Sequence, residues 1–455
     1  GYGISISALK KIKAAGASLV VTVDGGISSV LEMEAARAMG LDVIITDHHE
    51  PPDTLPEALA VVNPCLRGCG YPFKGLAGVG VALKLAQAVK AGLDGKDKAG
   101  PGVDGSLLKY LDLVALGTVA DVVPLREENR ILVKHGLQLL KASSRVGIKK
   151  LKEVALVKDE YFSAGTVGFQ MAPRLNASGR LGEAEAGVRL LLTEDPDEAA
   201  TIASNLDALN RERQEIEEKI LDEARSMIVC DPDYGYCSIV LHSREWHQGV
   251  IGIVASKLVE EFYRPTVLIS MVDGTGKGSA RGIPGFNLYH GLDKCRDYLE
   301  RYGGHKFAAG LSIKKENLEA FKEHFEATVK DALSAEDYIP WLRIDNEVKL
   351  KDLDWKLYSE IKDMAPFGPA NPEPVLTSGP LQVTYPKIVG RNHVRMKLGQ
   401  DGYNLNSIAF NMGTSYQGLA QKKVFVNAAF SLSASEWQGE KSIQLNVKDL
   451  HFRRC

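Results

Sequence analysis

"VIITDHHEPP", residues 43–52, is the stretch that decides both how the chain folds and what it can hold. Val43, Ile44, Ile45 and Thr46 are apolar or β-branched, as a buried strand requires. The run passes without a break into Asp47, His48 and His49, and Glu50 and a Pro-Pro stop follow. An acid and two adjacent imidazoles at the end of a buried strand either cap it or hold a metal ion.

Upstream, "SLVVTV" (18–23) is a second short apolar run, and it ends at Asp24 before Gly25 and Gly26. Between the two runs, "SSVLEMEAARAMG" (28–40) reads as a helix, capped by Ser28 or Ser29 and closed by Gly40. This is one βαβ unit, with the strands parallel and the crossover right-handed. In an open parallel sheet, ligands gather outside the carboxyl ends of the strands. Asp24 and the Asp47–His48–His49 triplet are therefore expected at one edge. Gly25 and Gly26 would let the backbone come close to a ligand there. Carboxylate plus imidazole suits Mn²⁺ or Mg²⁺, and Zn²⁺ less well. Asp121 closes a third apolar stretch, "LLKYLDLVALGTVADVVPL" (107–125), and is a further candidate ligand. On spacing alone, the strand cap and the metal site both stand.

The rest of the chain sets the frame. Its 455 residues suggest about three domains. A hydrophobic share of 45% and a charged share of 25% are ordinary for a globular chain, and the net charge of −3 offers no global basic field. Any polyanion must be met by local patches. There is no apolar run near twenty residues, so neither a membrane span nor a secretory leader is expected. Six cysteines are scattered, and Cys65 and Cys69 in "CLRGC" lack the second close pair that a zinc ribbon needs. Reduced thiols in a cytoplasmic protein are expected.

Helices are expected in "GLAGVGVALKLAQAVKAG" (75–92) and "NRILVKHGLQLLKAS" (129–143), with a surface loop at 95–106. From Asp195 and Pro196 to about Ile228, neither Gly nor Pro intervenes. Ile202, Leu206, Leu209, Ile216 and Ile220 keep helical spacing among charges. That predicts one amphipathic helix of about 33 residues, roughly 50 Å long, bridging two lobes or pairing as a short coiled coil. A second α/β domain follows: strands at 237–243 and 265–273, helices at 249–263 and 316–333. The last stretch is rich in short alternating strands and suits a small β-barrel. In "HVRMKL" (393–398), Val394, Met396 and Leu398 face one way, and His393, Arg395 and Lys397 the other. With Lys387 and Arg391 nearby, this predicts a basic face for a strand of phosphates. Tyr385, Tyr403, Phe410 and Trp437 either stack bases or belong to the core.

"DHH" after a strand, with "VTVDGGIS" before it and "LVALGTVADVVPL" after, resembles the DHH phosphoesterase superfamily. "APRLNASGRLGEAE" (172–185), "WHQGVIGIVASKL" (246–258), "GSARG" (278–282), "GGHKFAAG" (303–310) and "APFGPANPEP" (365–374) are similar to its bacterial single-strand-specific 5′→3′ DNA exonucleases, over essentially the whole chain. The resemblance implies an α/β fold. Two α/β lobes, a parallel-sheet DHH domain (1–145) and a DHH-associated domain (230–335), are joined by a segment with the long helix (146–229). An OB-like barrel (338–455) follows. It implies two divalent ions, Mn²⁺ or Mg²⁺, with Asp24, His48 and Asp121 as ligands, Asp47 orienting a neighbouring histidine, and His49 on the scissile phosphate. It places Arg180, Ser279 and Arg281 near the 5′ end of the strand, and His305 on the other wall of a cleft too narrow for a duplex. Read without it, an arginine beside glycine such as Arg180 is a solvated turn residue, and a buried structural role for His305 is the alternative. The barrel's Arg391, Arg395 and Lys397 would follow the strand. The implied activity is exonucleolysis of single-stranded DNA in repair and recombination, by a cytoplasmic monomer working beside a helicase and a single-strand-binding protein. Two alternatives stay open: a phosphodiesterase for short oligonucleotides or cyclic dinucleotides, and a catalytically degenerate DNA-binding relative. The superfamily's first motif, Asp-x-Asp, would lie upstream of Gly1, so activity is expected only with that segment present.

Overall fold

The computed structural model describes residues 3–96, 104–182, 184–229, 237–390, 392–421, 423–437 and 439–452, apart from the side chains of Tyr161 and Trp437. Most of the surface loop expected at 95–106 lies outside these residues, as do Arg391 and the Trp437 side chain. The chain divides into two compact units. One comprises Gly1–Ser143, Lys158–Gly168 and Leu342–Cys455; the other comprises Ser144–Val157 and Phe169–Trp341.

In the first unit a helix, Ile6–Ala14, precedes the expected βαβ unit. Strand β1 (Leu19–Thr22) pairs in parallel with β2 (Asp42–Thr46), Thr22 opposite Ile45, and β2 pairs in parallel with β3 (Ala60–Val62). The helix Val30–Ala38 crosses between them. Ser29 stands at its N-cap position but makes no capping bond through its side chain. Val43 and Ile45 pack with Leu9, Met33, Ala36 and Leu41 into a core. Burial of each large aliphatic there contributes roughly 1.5–3 kcal/mol. The apolar stretch that ends at Asp121 is a helix, Leu111–Ala120, and Asp121 is its C-cap. It packs against the helices Gly78–Leu93 and Glu127–Lys141.

The second unit carries a mixed sheet, β4 (Ile239–Ser243), β5 (Thr266–Val272), β6 (Thr275–Arg281), β7 (Leu299–Gly304) and β8 (Ala308–Lys314), in the order β4-β5-β6-β8-β7. Only the β4–β5 pair is parallel. The long helix is continuous over Pro196–Val229, 34 residues, and Asp195 caps it by accepting from the Asp197 N–H at 2.9 Å. Its apolar face packs inside its own unit, against the helices Val146–Val154, Ala172–Leu181 and Ile251–Phe262, with Leu206 and Ala203 fully buried. A coiled coil is not needed to cover it.

The barrel belongs with the first unit. After the short β9 (Asn346–Glu347) come β10 (Leu376–Val389), β11 (His393–Gln400), β12 (Tyr403–Ala409), β13 (Phe425–Trp437) and β14 (Glu440–Phe452). The pairing runs β11-β12-β14-β13-β10, and β10 pairs back onto β11, closing five strands into a barrel. Val394, Met396 and Leu398 are buried in it, while Arg395 and Lys397 are exposed, as the alternation predicts. Among the described residues, no helix is long and apolar enough to cross a membrane.

Candidate metal centre and nucleic-acid surfaces

Parallel pairing of β1 and β2 brings their carboxyl ends together, and with them the triplet and Asp24. Asp24 adopts a left-handed backbone, φ 60°. Its side chain rests directly on Gly78, the first residue of the helix Gly78–Leu93: a Cβ there would lie 2.3 Å from Asp24 Oδ1. Only glycine leaves room for the carboxylate. The sequence predicts a helix over this stretch and gives Gly78 no role; the structure makes it the seat of a candidate ligand.

His48 Nε2 lies 3.0 Å from Asp24 Oδ1 and 3.3 Å from Asp121 Oδ2. It is buried, and it is aligned for a hydrogen bond with neither oxygen. Burial alone would push this imidazole down; Asp24 and Asp121 override that and hold it above the usual histidine range. Burial pushes the Asp121 carboxyl up, and the Asp24 charge adds to this against the opposing pull of His48. Asp24, His48 and His49 each offer a ligand atom within 4.8 Å of the others.

Asp47 does something different. It is 1% exposed. Its Oδ1 accepts from the His48 N–H at 2.7 Å, the His49 N–H at 3.1 Å and His49 Nδ1 at 2.7 Å, and its Oδ2 accepts from the Ile27 N–H at 3.0 Å. Burial alone would raise its pKa; the His49 ring and the three amides hold it at about 2. A carboxylate only accepts, so His49 Nδ1 carries the proton on that side, and in the neutral ring Nε2 holds the lone pair. The bond to Asp47 raises the His49 pKa.

In the second unit, "NASGRLG" and "GSARG" meet at one helix end. Arg180 sits in the last turn of the helix Ala172–Leu181, not in a turn, and Nη1 donates to Gly249 O at 3.0 Å. Arg281, at the end of β6, donates through Nε to Ser256 Oγ at 3.1 Å. Arg281 Nη2 and Ser279 Oγ lie over Gly252, in the first turn of the helix Ile251–Phe262, where a Cβ would stand 3.0 and 3.1 Å from them. Burial, and then the nearby Arg180, lower the Arg281 pKa. Two guanidiniums, a hydroxyl and a helix N-terminus make a setting for an anion. His305 is exposed in the connection from β7 to β8 rather than buried, and its N–H donates to Ala308 O at 2.8 Å.

On the barrel, Lys387 pairs with Arg395 and Thr384 with Lys397 across β10 and β11. An open groove of about 530 Å³ is lined by Tyr385, Lys387, Arg395, Lys397, Asn406 and Gln444, among others. Tyr385 is 79% exposed, and Tyr403 and Phe410 are also exposed, so none of the three belongs to the core.

Comparison with known proteins finds three matching domain models. A model of the DHH family N-terminal domain matches residues 5–118, a DHHA1 domain model matches 233–331, and a RecJ OB domain model matches 344–449. The single-stranded-DNA-specific exonuclease RecJ of Bacillus subtilis strain 168 is 40% identical over 453 residues, covering 99% of this chain and 56% of its own length. Its counterpart from Escherichia coli K12 is 38% identical over 472 residues, covering 99% of this chain and 80% of its own. The chain thus spans just over half of one curated relative and four fifths of another. The crystal structure of RecJ from Thermus thermophilus in complex with Mn²⁺ superposes with a TM-score of 0.84 at 33% identity, over 99% of this chain and 64% of that one. The same protein with Mg²⁺ gives 0.75 at 31% identity, over 99% and 70%. Identity at this level along nearly the entire chain, on a matching fold, makes it a member of the RecJ family.

Proposed function

We propose that the chain carries the metal-binding and strand-binding parts of a divalent-metal-dependent exonuclease that removes nucleotides from the 5′ end of single-stranded DNA. The observation that carries this reading is the buried His48 Nε2 between two carboxylate oxygens, with a hydrogen bond to neither. Such convergence suits a cation better than an ion pair. Asp24, His48 and Asp121 would hold the divalent ions, Mn²⁺ or Mg²⁺. When bound, they lower the pKa of a water and stabilise charge on the attacking and leaving oxygens. Asp47 fixes the ring and tautomer of His49. His49 would act on the scissile phosphate, as hydrogen-bond donor or acid. Arg180, Ser279 and Arg281 would take the terminal 5′ phosphate, with His305 on the same domain as Ser279 and Arg281. The basic groove of the barrel follows the strand, its exposed tyrosines stacking bases. The domain boundaries that this assumes are 1–145, 146–229, 230–335 and 338–455. The enzyme would work in the cytoplasm as a monomer, beside a helicase and a single-strand-binding protein.

The test is hydrolysis of 5′-labelled single strands with Mn²⁺ by the full-length gene product. Nucleotides released in order from the 5′ end are expected. Equal cleavage of duplex, or a need for a free 3′ end, would overturn the reading. On the barrel, Arg395→Ala with Lys397→Ala is expected to weaken strand binding and to flatten the salt dependence. Each lost phosphate contact on a single strand removes about 0.7 from the slope of log K against log salt, so the pair should remove about 1.4. Fluorescence anisotropy across a salt series measures it, and an unchanged slope would place the strand elsewhere.

A further inference from the structure

"APFGPANPEP" supplies no side chain to the candidate ligands or to the lining of the barrel groove, yet it touches the turn that follows Asp121. Leu125, 2% exposed, donates its N–H to Pro369 O at 2.7 Å. Gly368 comes so close that a Cβ would lie 2.7 Å from Leu125 Cδ1. Arg130 reaches the end of the helix Trp355–Asp363, donating to Met364 O through Nη2 at 2.9 Å and Nε at 3.3 Å. A guanidinium there answers carbonyls that a helix end leaves unpaired. The loop is braced from within. Gly368 and Asn371 exchange backbone hydrogen bonds at 3.0 Å, and Asn371 Nδ2 donates to Pro366 O at 2.8 Å and Met364 O at 3.1 Å.

The clamped turn is itself strained. Val122, the residue after Asp121, has φ 59°, and Glu127 has φ 48°. A β-branched residue in the left-handed region is strained and persists only where its surroundings enforce it. Asn129, fully buried, donates to Pro124 O at 3.0 Å and Gly75 O at 2.6 Å. That ties the same turn to the segment leading into Gly78, the seat of Asp24.

We infer that the Met364–Asn371 loop, at the foot of the barrel, is a positioning element for the metal centre: by clamping Leu125 and Arg130 it holds the strained turn that sets the Asp121 carboxylate against His48. This rests on the reading of Asp24, His48 and Asp121 as metal ligands. It makes the barrel domain a contributor to metal affinity as well as to strand binding.

The experiment uses the full-length gene product and three variants: Arg130→Ala, which loses the clamp; Arg130→Lys, which keeps the charge at the helix end; and Gly368→Ala, which crowds Leu125. Mn²⁺ binding is read from the EPR signal of free Mn²⁺, strand affinity from anisotropy, and folding from thermal melts. Support of this kind is worth about 10–100-fold in metal affinity. Arg130→Ala and Gly368→Ala are expected to weaken Mn²⁺ binding about tenfold, with Arg130→Lys in between. kcat should fall at limiting Mn²⁺ and return at saturating Mn²⁺, while KM for the strand stays within about twofold. Unchanged Mn²⁺ affinity in both folded variants, or a loss confined to strand affinity, would overturn the inference and leave the metal centre standing. A wild-type protein that binds no Mn²⁺ at a site removed by His48→Ala would overturn both. If Arg130→Ala does not fold, the milder Gly368→Ala decides.

Discussion

His48→Ala should abolish Mn²⁺ binding at the centre and lower 5′ strand hydrolysis by about 10³-fold or more, since several kcal/mol of charge stabilisation are lost with the ions. The imidazole is the one nitrogen between two carboxylates, at 3.0 and 3.3 Å, and its side chain is only 12% exposed. Without it, Asp24 and Asp121 lose the nitrogen that stands between them and keep only the flanking His49 ring to offset their charge. Burial and the Asp24 charge then push the Asp121 carboxyl further toward its protonated form, which binds divalent ions poorly. Strand binding by the barrel should survive within about twofold, because its groove uses none of these residues. His49→Ala is the contrast. It should keep most of the Mn²⁺ affinity and lose kcat, because the proposed role of that ring is at the phosphate. EPR titration and single-turnover hydrolysis of a 5′-labelled strand separate the two variants. A His48→Ala protein that keeps its Mn²⁺ affinity within twofold would overturn the ligand assignment.

Some of this centre was legible in the chain and some was not, for identifiable reasons. Asp24 and the triplet end two short apolar runs separated by one helix, and parallel pairing then leaves no choice but to bring them to one edge. The closeness of β1 and β2 is local information. Asp121 was legible as an acid in an apolar setting, but it closes a helix rather than a strand. Its approach to His48 depends on three helices packing together, which no periodicity reveals. The seat of Asp24 on Gly78 was hidden for a similar reason: a glycine in a helix signals close contact without naming what makes it. The clamp is the least legible feature, since Arg130 and Met364 lie 234 positions apart. The barrel reads as a separate C-terminal domain in sequence. In three dimensions it joins the N-terminal α/β domain in one unit, while the long helix and the DHHA1 region form the other. Alternation in "HVRMKL" was fully readable, because a two-residue period needs no tertiary context.

Within the triplet, substitution should separate the acid that holds its neighbours from the acid that would hold metal. Asp47→Ala is expected to destabilise the protein by about 3–5 kcal/mol, the usual result of removing one partner from a buried charged network. Four donors would lose their acceptor at once: the amides of Ile27, His48 and His49, and His49 Nδ1. Each buried donor left unmet costs about 1–3 kcal/mol, though the four share one site and do not add. Asp47→Asn should fall between this variant and the wild type. Its carbonyl can still serve the three donors on Oδ1, but its amide nitrogen would face the Ile27 N–H, donor against donor. Asp24→Asn should behave in the opposite way. That side chain is 53% exposed and lies near a second carboxylate, so neutralising it should leave the melting temperature unchanged or slightly raised while Mn²⁺ binding is lost. Chemical denaturation without metal, paired with Mn²⁺ titration, gives both axes. Stability loss leading for Asp47 and metal loss leading for Asp24 would mark the first as a positioning residue and the second as a ligand. An Asp47→Asn protein as stable as the wild type, with Mn²⁺ affinity gone, would reverse the two roles.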